Sequence, residues 1–175
     1  MNRYIADLHF DHANMIRHAN RPYLNVDRMN EALLRIWNGH VAPADHVYVL
    51  GDLFFKTNDP ERILTKLNGT LHLIMGNHDH TWLKPRHRTY FKSIQDIQIV
   101  KDGGTSVVLC HYPMAEWPGY FRDTAHLFGH IHNTKNKAYE IMQELPNAYN
   151  VGIDCIPYPM TLSEIKAFYQ TARNV

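Results

Sequence analysis

The chain has 175 residues, of which 45% are hydrophobic and 20% are charged, and its formal net charge is +1. This size fits one globular domain with a single core, so we expect one domain over residues 1–175. A nearly neutral chain has no overall field that could attract nucleic acid or an anionic membrane, so recognition of charge must be local.

The cysteines and the apolar runs set further limits. Only Cys110 and Cys155 occur, which is too few for a disulfide framework and lacks the paired spacing of a structural zinc module. We therefore expect free thiols and a reducing compartment. The chain reaches Asp7 without a long apolar stretch, and no later run is long enough to span a bilayer. These features favour a soluble, cytoplasmic protein with no membrane partner.

Six short apolar runs predict buried strands, and helical patterns lie between some of them. The runs cover residues 4–8, 47–50, 71–75, 107–110, 125–128 and 149–151. Asp102-Gly103 separates two further apolar segments and predicts an antiparallel hairpin.

Three helices are predicted from their capping signals. Asp27 is expected to cap the first, and Asp59-Pro60 to open the second. Thr161 and Glu164 have the spacing of a capping box, which predicts a helix at the end of the chain. The class is therefore α/β with mixed sheets. Residues 84–89 and 133–147 are expected to depart from the core.

The residues that follow the apolar runs form the most informative pattern, because five runs end next to side chains that can bind a metal. In α/β sheets, ligands gather outside the carboxyl ends of the strands, so we expect these side chains to converge. Their oxygen and nitrogen donors suit manganese, iron, cobalt, nickel or zinc. Seven ligands are too many for one ion but suit two ions that share a carboxylate. The candidates are Asp7, His9, Asp52, Asn77, His111, His130 and His132.

The order of these motifs resembles that of the calcineurin-like metallophosphoesterase superfamily, over residues 7–154. The motifs read Asp7-Leu8-His9, Gly51-Asp52, Gly76-Asn77-His78-Asp79, His111 and Gly129-His130-Ile131-His132. The resemblance implies an α/β sandwich of two mixed β-sheets flanked by helices. It also implies that Asp52 bridges two ions. Asp7, His9 and His132 would bind one ion, and Asn77, His111 and His130 would bind the other.

The implied activity is hydrolysis of a phosphate ester by hydroxide that the two ions activate. In such sites the ions lie about 3.5–4 Å apart and clamp the phosphoryl oxygens during in-line displacement. Among the metals that suit these donors, we favour manganese. His78 is expected to stabilise the phosphoryl charge or to protonate the leaving oxygen. Asp79 is expected to orient His78.

Other side chains admit two interpretations each. His12, Arg17 and Arg21 follow the first motif and either bind the substrate phosphate or are solvated residues at a helix start. Tyr112 and Trp117 either stack on a base or line the cleft, and we favour the second. The basic residues at positions 84, 86 and 88 either contact nucleic acid or form a solvated loop, which we favour for a neutral protein.

The sequence after Asp52 narrows the substrate. Protein serine/threonine phosphatases of this superfamily carry an arginine soon after that aspartate, whereas Leu53-Phe54-Phe55 follows here. The short chain is similar to small bacterial and phage members, so we expect a small phosphodiester or phosphomonoester, with nucleotides among the candidates. Two alternatives remain open. A scaffold that has lost catalysis is disfavoured by the complete ligand set, and a nuclease by the neutral charge.

Overall fold

The structure, a computed structural model, describes residues 1–173 and contains two four-stranded sheets. The first sheet is wholly parallel and has the order β1 (Asn2–Ile5), β2 (His46–Leu50), β3 (Thr70–Ile74), β4 (Phe91–Gln95). The second has the order β5 (Ile97–Asp102), β6 (Thr105–Cys110), β7 (Ala125–Phe128), β8 (Ala148–Asn150). In it β5 is antiparallel to β6, and the other pairs are parallel.

Helices connect and flank these strands. The α-helices are α1 (Met15–His18), α2 (Val26–His40), α3 (Glu61–Leu64), α4 (Lys137–Glu144) and α5 (Leu162–Arg173). Short 3₁₀ segments lie at Asp79–Thr81, Pro85–Tyr90 and Tyr120–Arg122. Within residues 1–173, none of the helices has both the length and the apolar composition of a membrane span.

The predicted α/β sandwich of two sheets flanked by helices is confirmed, although one of the sheets is parallel rather than mixed. All six predicted apolar runs overlap strands, and the run at residues 125–128 coincides with β7. The predicted hairpin joins β5 to β6. The β4 strand was not predicted. It lies at a sheet edge and alternates irregularly between buried and exposed residues, so it lacks the apolar run that identifies the central strands.

Two local predictions about helices were wrong. The cap of α2 is Asn25, whose side chain accepts a hydrogen bond from the backbone N–H of Arg28 at 3.0 Å, and Asp27 lies in the first turn. The segment 133–147 contains α4, which packs Met142 onto the second sheet rather than departing from the core. In contrast, the capping box before α5 is confirmed, because the side chain of Glu164 accepts from the backbone N–H of Thr161 at 2.7 Å.

The main core lies between the sheets and fixes the edge at which the strands end. Alternate residues of β6 face opposite sides, so Val107 and Leu109 enter the main core whereas Val108 packs in a smaller outer cluster with Trp117. A parallel bridge between Ala6 and Gly152 joins the ends of β1 and β8. The carboxyl ends of strands from both sheets therefore meet at one edge of the sandwich.

Candidate metal centre

The carboxylate of Asp52 lies at the centre of this edge, between residues from both sheets. Its Oδ2 atom is 3.5 Å from Nε2 of His9 and 3.6 Å from Nε2 of His111. Asp52 follows β2, His9 follows β1 and His111 follows β6, so three separate strand ends place these donors together. Asp52 is 2% exposed, and this carboxylate is therefore enclosed by potential ligands rather than by water.

The remaining predicted ligands lie on either side of Asp52. Oδ1 of Asn77 is 3.1 Å from Nε2 of His111 and 3.0 Å from Nδ1 of His130. On the other side, Asp7, His9 and His132 each offer one atom within a cluster whose ligand atoms lie within 4.8 Å of one another. The structure thus brings all seven predicted ligand side chains to one place.

The backbone at this place is strained. Five of the seven predicted ligands have positive φ angles, a region that non-glycine residues seldom occupy. Such conformations cost of the order of 1–3 kcal/mol each and persist where the surrounding structure enforces them, commonly at functional sites. The angles are 58° for Asp7, 51° for His9, 54° for Asp52, 70° for His130 and 49° for His132.

Two glycines allow the chain segments to approach closely. Gly51 has φ +82°, and a Cβ atom built there would collide with Nδ1 of His111 and would lie 2.7 Å from Cα of Gly76. At Gly129 a Cβ atom would lie 2.5 Å from both Cβ of Ala6 and Oδ2 of Asp7. A side chain at either position would therefore separate the motifs that carry the ligands.

Hydrogen bonds orient two of the imidazoles. Nδ1 of His111 lies 2.8 Å from the carbonyl oxygen of Leu50, and because a carbonyl only accepts, this nitrogen must carry the proton. Nδ1 of His132 lies 2.8 Å from Oδ2 of Asp154. Burial disfavours the charged form of His132, but the hydrogen bond to Asp154 and the charge of Asp7 outweigh it and raise the pKa of this imidazole. With Nδ1 engaged in this way, Nε2 is the nitrogen in each ring that can offer a lone pair to a cation.

Two unpaired buried atoms show that the donor set fits a cation. Oδ1 of Asp7 and Nε2 of His9 have no hydrogen-bond partner among residues 1–173, and their residues are 0% and 1% exposed. Burial raises the pKa of Asp7 to about 7 and lowers that of His9. An unpaired buried polar atom is costly unless it binds something, and a divalent cation satisfies both atoms at once.

His78 lies at the open side of Asp52. Its backbone N–H donates to Oδ1 of Asp52 at 2.9 Å, and its Nε2 is 3.9 Å from Oδ2 of the same carboxylate. The His78 side chain is 31% exposed and meets the ring of Phe55 edge-on, with centroids 4.9 Å apart. His78 also forms a possible three-donor cluster with His9 and Asp52, so the geometry allows either a ligand or a proton donor.

Asp79 contacts the backbone of the site rather than His78. Its carboxylate accepts hydrogen bonds from the N–H groups of Asp52, Leu53 and Gly76 at 2.9, 3.1 and 2.8 Å, and from the indole of Trp82 at 2.9 Å. The predicted orientation of His78 by Asp79 was therefore wrong in its contacts. This buried carboxylate instead joins the second and third motifs.

The three predicted phosphate-binding residues lie in three different environments: one borders the site, one is exposed on a helix and one is buried. His12 borders the site, with Nδ1 3.2 Å from Nδ1 of His9 and its ring stacked on Phe55 at 3.8 Å. Burial, followed by nearby histidines, lowers the pKa of His12 to about 4. Arg17 is exposed on α1. Arg21 is 7% exposed and donates to the carbonyl oxygens of Asp7 and Leu8, which places its guanidinium behind the ligands.

Trp117 and Tyr112, which each admit two interpretations from sequence, lie in different environments. Trp117 is 4% exposed and donates its indole N–H to the carbonyl oxygen of Thr124, so it belongs to the protein interior. Tyr112 is 46% exposed and contacts the rings of His111 and His130, with centroids 5.0 and 4.7 Å away.

In the basic segment at residues 84–88, Arg86 pairs with Glu61 at 3.3 Å, which reduces the local positive charge.

Asp154 supports the site but was not predicted, although its sequence position carries a signal. Gly152-Ile153-Asp154 follows β8 as the other motifs follow their strands. Asp154 was not singled out because it belongs to none of the five recognised motifs. Its contact with His132 depends on the path of residues 152–156, which no periodicity in the sequence reveals.

Comparison with known proteins finds one close relative by sequence. The uncharacterised protein MJ1445 of Methanocaldococcus jannaschii is 33% identical over 175 residues, which covers 98% of this chain and 92% of the relative. No protein-family model matches the chain.

A solved structure of 25% identity shares the architecture over nearly the whole chain. The protein of unknown function AQ665 from Aquifex aeolicus superposes with a TM-score of 0.73 at 25% identity, covering 96% of this chain and 98% of its own. The phosphoesterase YfcE of E. coli gives a TM-score of 0.46 at 13% identity, covering 86% and 77%. Its five converging motifs resemble those of the calcineurin-like metallophosphoesterase superfamily. By its 33% identity to the Methanocaldococcus jannaschii protein over nearly its whole length, the chain belongs to that protein's family.

Proposed function

We propose that the protein is a metal-dependent phosphoesterase that hydrolyses small phosphate esters at the Asp52 edge of the sandwich. The observation that carries this proposal is the position of the Asp52 carboxylate, 3.5 Å from His9 on one side and 3.6 Å from His111 on the other. A single carboxylate between two donor sets suits a pair of cations that share one ligand. The unpaired buried atoms of Asp7 and His9 support it.

The donors divide into two sets around Asp52. Asp7, His9 and His132 would hold one ion, while Asn77, His111 and His130 would hold the other. The donors are oxygen and nitrogen, which suits manganese, iron, cobalt, nickel or zinc, and we favour manganese. When bound, the two ions supply an activated water as the nucleophile and neutralise the charge on the phosphoryl oxygens.

The chain's own side chains complete the reaction. In the displacement a water oxygen forms a bond to phosphorus while the bond to the leaving oxygen breaks. His78, partly exposed beside Asp52, would donate its Nε2 proton to that leaving oxygen. The backbone N–H of His78 donates to Oδ1 of Asp52, which keeps this residue beside the proposed bridging carboxylate.

The rim indicates the kind of ester. His12 lies beside His9, and Arg17 follows His12 in the sequence and is exposed. The side chain of Phe55 packs against the rings of His12 and His78. This aromatic wall takes the place of the arginine found soon after the second motif in phosphoprotein phosphatases, so we favour a phosphodiester. Tyr112 offers a half-exposed ring next to His130, and a nucleotide base would fit such a surface.

A panel assay tests the activity. Purified protein would be stripped of metal, reloaded with manganese, nickel, cobalt, zinc or magnesium, and incubated with aryl phosphomonoesters, aryl phosphodiesters and cyclic and linear nucleotides. We expect hydrolysis that depends on the added ion and is lost in Asp52→Asn. The exposed Asp27 in the first turn of α2 provides a control, because Asp27→Asn removes a carboxylate that is not among the candidate ligands. Folded, metal-loaded protein that hydrolyses none of the esters would contradict the proposal.

A further inference from the structure

Behind the first donor set lies a buried pair of opposite charges formed by Arg21 and Asp154. Nε of Arg21 donates to Oδ1 of Asp154 at 2.8 Å, and Nη2 donates to Oδ2 at 2.9 Å, which is the bidentate geometry of a strong pair. The two side chains are 4% and 5% exposed. None of the motifs includes either residue.

Each member of the pair also contacts a ligand-bearing segment. The Arg21 guanidinium donates to the carbonyl oxygen of Asp7 at 2.7 Å and to that of Leu8 at 2.8 Å. These are the two residues that precede His9, so one guanidinium fastens the segment that carries two ligands. Oδ2 of Asp154 accepts from Nδ1 of His132 at 2.8 Å.

Asp154 influences His132 both through its position and through its negative charge. Both oxygens of Asp154 accept hydrogen bonds from the Arg21 guanidinium, and Oδ2 also accepts from His132, which is the bonding of a carboxylate. A carboxylate that accepts from Nδ1 fixes the ring and makes Nε2 a stronger donor to a cation. The other donor set has a different support, since His111 is oriented by the neutral carbonyl of Leu50.

We propose that Arg21 and Asp154 are positioning residues for the ion held by Asp7, His9 and His132, and that they control the affinity of this one of the two sites. This inference rests on the proposed dinuclear function. Asp154 orients the imidazole of His132. Arg21 binds the carboxylate of Asp154 and also the backbone of the strained segment that carries Asp7. A lysine cannot replace Arg21, because an ammonium lacks the planar fork that reaches both partners.

The experiment measures binding of manganese alone to metal-free protein by isothermal titration calorimetry. The variants are Arg21→Lys, which keeps the charge, and Asp154→Asn, which keeps the shape. The control is Arg3→Lys, because Nε of Arg3 pairs with the buried Asp45 at 2.8 Å near the start of β1, at the opposite end of the sheet. Urea unfolding with a chelator present reports the stability of every variant independently of metal.

For the wild type we expect two binding events, and for Arg21→Lys and Asp154→Asn one event weakened by about 10–100-fold with the other nearly unchanged. Arg3→Lys should lower stability without altering either event. Two events of wild-type affinity in both variants would overturn this inference and leave the proposed function intact. If the wild type binds a single ion and Asp154→Asn weakens it, the positioning role stands and the dinuclear proposal fails. Equal weakening in Arg3→Lys would also overturn the inference, because it would show a general effect of stability.

Discussion

The backbone of His78 is hydrogen-bonded to the carboxylate of Asp52, and the imidazole of His78 lies close to the same carboxylate. The backbone N–H of His78 donates to Oδ1 of Asp52 at 2.9 Å, and the side-chain Nε2 lies 3.9 Å from Oδ2. The residue that we propose as proton donor is thereby fixed to the residue that we propose as bridging ligand. A proton donor needs this fixed distance, because its contribution depends on geometry.

Replacement of His78 should affect chemistry more than metal binding. We expect His78→Ala to keep its fold and both ions and to lose about 10²–10⁴-fold in turnover, the usual contribution of a positioned acid. Its exposed neighbour His80 provides the matched control, and His80→Ala should retain turnover.

The choice of leaving group separates proton donation from phosphate binding. An aryl phosphate leaves readily, so the loss in His78→Ala should shrink with such substrates, whereas a binding role would weaken all substrates alike. Turnover would be measured along a series of leaving groups. Equal losses along the series would remove the acid role, and loss of an ion in the variant would make His78 a ligand.

Gly51 should tolerate no side chain. Gly51→Ala would place a methyl group against His111 and Gly76 at a φ of +82°, so we expect a loss of about 3 kcal/mol or more in the free energy of unfolding, and weaker metal binding. Gly39 in α2 has nothing within 4 Å of a built Cβ atom, and Gly39→Ala should stabilise by about 0.5–1 kcal/mol. Urea unfolding of both variants checks this, and similar shifts in both would be inconsistent with the crowded turn.

His126 should make the protein sensitive to acid. It is 0% exposed, its Nε2 accepts from the N–H of Met114, and burial lowers its pKa to about 4. The unfolded chain takes up this proton near pH 6.5, the ordinary value for histidine. Between pH 6.5 and about 4 the unfolded state therefore binds more protons, and stability falls as the pH falls, by up to about 1.4 kcal/mol per pH unit. Above pH 6.5 neither state binds this proton, so the stabilising contribution of the neutral His126 is fully present.

Comparison with a variant isolates this effect. His126→Gln cannot take up the proton, so the difference in unfolding free energy between wild type and variant should shrink as the pH is lowered through this window. His18→Gln, at an exposed position, is measured alongside as the matched control. A constant difference between wild type and His126→Gln from pH 7 to pH 4 would contradict the assignment.

The two cysteines should be dispensable. Both are free thiols in the structure, as the sequence predicts. Cys155 donates to the carbonyl oxygen of His132 at 3.1 Å, a contact that a serine hydroxyl can replace. The folded double variant Cys110→Ser, Cys155→Ser should retain metal binding and hydrolysis. Loss of hydrolysis in this variant, with its fold intact, would reveal a role for a thiol.

The donors could be predicted from sequence because they follow strands with a strong apolar signature. In a sheet of parallel strands such residues meet at one edge, so Asp7 and Asp52, which follow the parallel neighbours β1 and β2, converge. His111 follows β6 of the second sheet, and the packing of the two sheets brings it to the same edge. β7 was located residue for residue for the same reason, since all four of its residues are buried. The edge strand β4 carries no such signature and was missed.

The supporting contacts could not be predicted, because they depend on loop conformation. Asp79 was placed beside His78 from adjacency in sequence, yet its carboxylate turns to the backbone of Asp52 and Gly76. Arg21 was considered for the rim, and its burial behind the Asp7 segment results from the path between β1 and α2. The positive φ angles at five predicted ligands likewise leave no trace in residue type, because none of those positions is a glycine.

The number of ions bound per chain tests the central claim most directly. Metal-free wild type and Asp52→Ala would be dialysed against manganese, and bound metal would be measured per chain by elemental analysis. Asp52 lies between the two donor sets, so we expect the wild type to approach two ions per chain and Asp52→Ala to fall well below that value. Saturation of the wild type at one ion, with Asp52→Ala still binding normally, would contradict the two-metal account.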